Sequence, residues 1–153
     1  MRERPILICY DGSDDARRAI GAAEALVGPR RAVVLDMGPP LTAAESYAAI
    51  SPGVVGADFE EMNEADALTR ATEGAERARE AGFEATARGG IAAPTWQGVV
   101  DVADELDAAV IVLGSRGLKG GRELLEGSLS HQVAQHAGRP VLIVPPPNTP
   151  PGR

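Results

Sequence analysis

The chain has one cysteine, Cys9, and one lysine, Lys119. A lone cysteine can form neither an internal disulfide nor a thiolate metal cluster, so no covalent staple holds the fold. Aromatic residues are scarce: Tyr10, Tyr47, Phe59, Phe83 and Trp96. That is too few for the stacking platforms that hold single-stranded nucleic acid. Positive charge is also short. With 15 Lys+Arg against 22 Asp+Glu the net charge is −7, and an acidic chain is a poor non-specific partner for nucleic acid. No run of about 18 apolar residues occurs, which excludes a transmembrane helix and membrane partners of that kind. The first apolar run is cut off at Asp11, too early for a signal peptide, so the expected location is the cytoplasm. The 18 glycines follow no triplet period, which excludes collagen.

What is present is ordinary for a globular domain: 153 residues, 44% hydrophobic and 24% charged. Such a chain forms one domain and buries about 70% of its unfolded surface. Residues 1–145 read as that domain, and the proline-rich residues 146–153 as a disordered tail. Abundant Ala, Gly, Arg and Pro point to a GC-rich bacterial genome.

Short apolar runs alternate with helical periods. Pro5–Tyr10 reads as a buried strand that ends at Asp11-Gly12-Ser13. Ser13 caps a helix whose inner line is Ala16, Ala19, Ile20, Ala23 and Val27, and Gly28-Pro29 stops it. A second strand spans 31–37. Residues 38–57 are a long connection without a period, and connections of that length tend to be functional. A helix is expected over 58–81 on the line Leu68, Ala71, Ala75, Ala78, with Gly82 as C-cap and an acidic, solvated outer face. A weaker strand covers 84–90. Pro94 opens the next helix at its first position, with Val99, Ala103 and Leu106 inward. Strand 109–113, a glycine-rich loop over 114–127, a short helix over 128–137 and strand 140–144 complete the domain. Strands alternating with helices imply an α/β fold, a parallel sheet with right-handed crossovers and ligands beyond the carboxyl ends of the strands.

Two stretches meet that rule, Asp11-Gly12-Ser13 and Gly114 onward. The second reads Gly114-Ser-Arg-Gly117, then Gly127-Ser128, with Arg116, Lys119 and Arg122 and no acid between 114 and 122. Glycines admit a ligand close to the backbone, and a helix starting at Ser128 presents free N–H groups to an anion. Phosphate binding is one reading; a plain turn followed by a helix cap is the other. No Gly-x4-Gly-Lys-[Ser/Thr], no Gly-x-Gly-x-x-Gly after the first strand and no Gly-x-Ser-x-Gly is present, which excludes a P-loop, weakens a dinucleotide Rossmann site and excludes a hydrolase elbow. His131 and His136 are wrongly spaced for zinc.

The spacing Gly-x2-Gly-x9-Gly-Ser from Gly114 to Ser128 resembles the ATP-binding signature of the universal stress protein family. Ile6-Leu-Ile-Cys-Tyr-Asp-Gly-Ser13, Val110–Gly117, Gly127-Ser-Leu-Ser130 and Pro140–Val144 extend the resemblance over about residues 5–145. It implies a five-stranded parallel open sheet in order 3-2-1-4-5 with helices on both faces, similar to the adenine nucleotide alpha hydrolases, and a homodimer. It also implies ATP binding without dedicated catalysis. By position, Asp11 would contact ribose and the adenine side, and Met37 would contact adenine through its backbone. Gly114, Gly117 and Gly127 would line the phosphates, Ser128 would bond one of them, and Arg116 and Ser130 would assist. Mg2+ would bridge the phosphates and offset the protein's negative field.

Four residues depart from the family's pattern. Asp36 stands where a histidine is common, so a carboxylate near the base would weaken ATP or alter specificity. Ala92-Ala93 leave the helix at Pro94 weakly capped. Tyr10 is bulky, either core or a wall of the adenine pocket. The expected function is an ATP-binding regulatory protein of the stress response with little or no hydrolysis. The alternative is an interaction module whose loop binds no nucleotide. A nucleotidyl transferase or ATP pyrophosphatase would need His-x-Gly-His or Ser-Gly-Gly-x-Asp-Ser, and both are absent. Strand 140–144, apolar and at the expected sheet edge, is the expected dimer contact. Gly114→Val or Gly127→Val is expected to abolish ATP binding in a folded protein.

Overall fold

The computed structural model describes residues 3–39, 56–115 and 128–147, with the backbone alone over 56–62. The elements are β1 (Ile6–Cys9), α1 (Asp14–Val27), β2 (Arg31–Gly38), α2 (Gly56–Ala81), β3 (Glu84–Ile91), α3 (Thr95–Glu105), β4 (Ile111–Gly114), α4 (Leu129–His136) and β5 (Val141–Val144). The five strands form one sheet in the order β3-β2-β1-β4-β5, and every pair is parallel. The fold is the expected α/β architecture.

Continuous apolar strands give both faces something to bury. Ile6, Ile8 and Tyr10 point into a layer under α1 and α2. Leu7, Cys9, Leu35 and Met37 point into a second layer under α3 and α4. Ser13 starts α1 by accepting the Ala16 N–H at 3.1 Å. Helix α2 buries Ala67, Ala71, Ala75 and Ala78, whereas Leu68 is 47% exposed. This corrects the expected line at one position. Small side chains let α2 lie close on the sheet, and a Cβ at Gly74 would come within 2.6 Å of the Tyr10 ring and 2.8 Å of Val34. Phe83 N–H closes the helix on Ala78 O at 2.9 Å, with Gly82 at φ +111°.

Pro94 is the N-cap of α3, not its first residue, and makes no side-chain capping bond. The extended φ and ψ of −72° and 152° put it just outside the helix. Tyr10 is core, its ring against Gly74 and its hydroxyl donating to Glu73 Oε1 at 3.0 Å, and it also borders a cleft at the end of β1. Among the described residues no helix is long and apolar enough to cross a membrane. Residues 145–147 carry no regular structure; the rest of the expected tail, like most of the 38–57 connection, lies outside the described residues.

One offset in the sheet creates a site. The β1–β2 ladder ends at Cys9↔Leu35, with Tyr10 N–H bonded to Leu35 O at 2.8 Å, while the β2–β3 ladder continues to Gly38↔Ile91. Strand β2 therefore overhangs β1. On the other side, β4 runs to Gly114, where the chain order reverses between β1 and β4.

Candidate functional site

At this reversal lies an open cleft, the place where open α/β sheets bind their ligands. Leu35, Met37, Val99 and Leu113 form its apolar walls, and Asp11, Asp15 and Asp36 also line it.

Asp11 follows β1 and shapes the turn, its Oδ1 accepting the Ser13 N–H at 2.9 Å. Gly12 at φ +83° completes that turn. Met37 has a different part. In a parallel ladder each residue directs its N–H and C=O to one neighbour, and successive residues alternate sides. Leu35 O bonds to β1 and Gly38 O to Ala92 beside β3. Met37 therefore faces the β1 side, where β1 has already turned away. Its backbone donor and acceptor point at the cleft mouth. Its thioether fits because positions 90 and 98 are glycine; a Cβ there would come within 2.9 Å of Cε and 3.0 Å of Sδ.

Gly114 ends β4 beside α1. A Cβ at 114 would sit 3.0 Å from Asp15 Cβ and 3.2 Å from the Asp15 carbonyl carbon. Packing alone thus asks for glycine here, and Gly114→Val would disturb α1 as well as any ligand, which revises the expectation of an undisturbed fold. Ser128 caps α4, its Oγ accepting the His131 N–H at 3.2 Å, and the Ser130 hydroxyl lies 3.3 Å away. The N–H groups of Leu129 and Ser130, in the first turn, have no intrahelical acceptor. Leu129 itself lines the cleft, so the N-terminal end of α4 faces it and favours an anion.

Sequence spacing thus brings Asp11, Met37, Gly114, Ser128 and Ser130 to one end of the sheet. Arg116, Gly117 and Gly127, with Lys119 and Arg122, lie outside the described residues. Three lining groups have parts that sequence reasoning missed. Asp15, in the first turn of α1, is buried, pairs with Arg18, and keeps Oδ2 without a described donor. Asp36 is 1% exposed, accepts from Arg70 Nε at 2.5 Å through Oδ2, and its Oδ1 has no donor among the described residues. Burial raises its carboxyl pKa, Arg70 pulls the other way, and the Asp11 charge adds to the rise. The Cys9 thiol is pushed up to about 12, by burial first and then by Asp11 and Asp36, so it stays protonated at neutral pH. Only the substitution at position 36 had a sequence signal.

These groups can hold a flat base between apolar walls, a sugar at Asp11 and an anion at α4. Neither histidine lines the cleft; His136 stacks on Trp96 with centroids 4.2 Å apart. Among the described residues no group of three His, Cys, Asp or Glu could hold a metal ion.

Comparison with known proteins gives a consistent picture. The model of the universal stress protein family matches residues 3–145. A universal stress protein of Thermus aquaticus, from the QAH/OAS sulfhydrylase 3' region, is 34% identical over 151 residues, covering 92% of this chain and 98% of that one. Universal stress protein YxiE of Bacillus subtilis (strain 168) is 29% identical over 145 residues, covering 91% and 97%. Among solved structures, hypothetical protein MJ0577 superposes with a TM-score of 0.74 at 20% identity, covering 95% of this chain and 98% of that chain. A universal stress protein in complex with cAMP gives 0.63 at 23% identity, covering 92% and 96%. The universal stress protein of Archaeoglobus fulgidus in complex with dAMP gives 0.61 at 23%, covering 94% and 99%.

Proposed function

The chain belongs to the universal stress protein family, and on that premise we propose that it is a regulatory protein that binds an adenine nucleotide, ATP in the first instance, in the cleft beyond β1 and β4. One observation carries this reading. The overhang of β2 leaves the Met37 N–H and C=O facing a cleft whose far side is the N-terminus of α4. A donor and acceptor side by side match the Watson–Crick edge of adenine, and the free N–H groups of α4 suit a phosphate. Two proteins of the same fold whose complexes hold cAMP and dAMP support the same ligand class.

In this reading the base lies between Leu35 and Val99, Asp11 accepts from the ribose hydroxyls, and Gly114, Gly117, Gly127 and Ser128 surround the phosphates. Ser130 braces Ser128, and Arg116 supplies positive charge. Bound Mg2+ would be held mainly by the phosphates, neutralising charge beside Asp11 and Asp15. Among the described residues lining the cleft, Cys9 holds its proton, Asp11 is given to the ribose, and Asp15 and Asp36 are held by Arg18 and Arg70, so hydrolysis is expected to be slow or absent. The protein acts in the cytoplasm as a homodimer through β5, whose residues Val141–Val144 are only half-buried on the outer strand.

Titration calorimetry with Mg-ATP, AMP and GTP tests the reading. One adenine nucleotide per chain, weakened by Asp11→Ala and Ser128→Ala, is expected. Absence of binding heat up to millimolar nucleotide would overturn it. Sedimentation showing a monomer at tens of micromolar would remove the dimer.

A further inference from the structure

We propose that the Oδ1 oxygen of Asp36 is a base-reading acceptor: it takes the exocyclic amine of the bound purine and makes the cleft choose 6-amino over 6-keto bases. This deepens the nucleotide reading above and rests on it.

Asp36 lies on the overhang of β2, next to Met37, and lines the cleft. Its two oxygens differ. Oδ2 is taken by Arg70 Nε at 2.5 Å, while Oδ1 is buried and has no donor among the described residues. Arg70 stands on α2 and reaches the carboxylate from outside the sheet. It fixes the orientation of the carboxylate and leaves one oxygen for a ligand. A buried charged acceptor left unpaired is costly, so a ligand N–H placed there gains strongly.

An ionised carboxylate only accepts hydrogen bonds. One open oxygen beside the Met37 backbone therefore asks for one N–H next to the Watson–Crick edge, which is what a 6-amino group supplies. A 6-keto oxygen would set acceptor against acceptor. The adjacent N1–H and N2–H donors of guanine call for two carboxylate oxygens together, and Arg70 already holds one. A buried polar group that rejects the wrong partner in this way discriminates more sharply than an apolar wall.

The test compares equilibrium binding of AMP and IMP, which share sugar and phosphate, to the full chain and to Asp36→Asn. The wild-type chain should favour AMP by about tenfold or more. In Asp36→Asn the amide oxygen keeps the Arg70 bond and the amide N–H takes the place of Oδ1, so the preference should shrink to what the Met37 backbone alone supplies. An AMP to IMP ratio unchanged by Asp36→Asn, with both still binding, would overturn the proposal and leave the nucleotide reading standing. Failure of the wild-type chain to bind either nucleotide would overturn both. If Asp36→Asn does not fold, wild-type binding of AMP is compared with purine riboside 5'-monophosphate, which lacks the amine. A loss of about a hundredfold, two hydrogen bonds where Met37 C=O alone would supply one, supports the proposal, and a loss of about tenfold or less overturns it.

Discussion

Replacing Arg70 with Met removes the donor to a carboxylate that is 1% exposed, while keeping an aliphatic stem over it. Removing one partner of a buried pair costs about 3–5 kcal/mol. The Arg70 side chain is 42% exposed, so water replaces part of the guanidinium, and about 2–3 kcal/mol is expected. For a chain of this length that lowers Tm by about 4–12 °C. The loss has a pH signature. The folded Asp36 pKa is already raised by burial against the pull of Arg70, and without Arg70 it rises further. A carboxyl whose folded pKa lies above its unfolded value of about 3.9 binds its proton more tightly in the native state. Its penalty is absent below the unfolded pKa and grows as pH rises through the folded one. Urea denaturation of Arg70→Met and wild type at about pH 5 and pH 8 should therefore show the larger gap at pH 8. Adding Asp36→Asn to Arg70→Met should restore most of the stability. A variant as stable as wild type at pH 8, or a gap that does not change with pH, would refute the reasoning.

Other substitutions probe the packing around the site. Gly74→Ala gains about 1 kcal/mol of helix propensity but drives a Cβ to 2.6 Å from the root of the Tyr10 ring. Overpacking of that kind costs about 1–3 kcal/mol, so a net loss of about 1–2 kcal/mol in urea denaturation is expected; a stabilised variant would mean that Tyr10 moves aside. Ser128→Ala loses the α4 cap, worth about 1 kcal/mol, and should weaken nucleotide binding in the same preparation; unchanged affinity would remove Ser128 from the phosphate site. The Cys9 thiol, pushed up to about 12, should react with a disulfide reagent at pH 8 about a thousandfold more slowly in the native protein than in urea. Comparable rates would contradict its burial.

The fold was legible because β1, β2, β4 and β5 carry apolar runs that alternate with helical segments, a pattern with few parallel-sheet solutions, while β3, Glu84–Ile91, carries only a weak pattern. The order of the sheet came from family resemblance. The misjudged details depend on packing. Leu68 outranks Ala67 in hydrophobicity, yet alanine faces the sheet because α2 approaches too closely for leucine. Pro94 sits one residue earlier in the helix than expected, since both positions suit a residue without an N–H. Motif and resemblance proposed Asp11, Met37, Gly114, Ser128 and Ser130, which lie at one end of the sheet, but the motif could not show that Gly114 also answers to Asp15. The bond between Arg70 and Asp36 joins residues 34 apart in the chain, and no local period encodes it. Asp15 and Cys9 enter the cleft only because β4 ends beside β1 and α1.

The central claim, an adenine nucleotide in this cleft, is tested most directly by thermal unfolding with and without Mg-ATP, with AMP and GTP alongside. A ligand at 100 times its Kd stabilises the native state by about 2.7 kcal/mol, which is about 5–11 °C in Tm for a domain of this size. A shift of that size with ATP or AMP, reduced in Asp11→Ala, is the predicted result. No shift with any of the three nucleotides at millimolar concentration would contradict it.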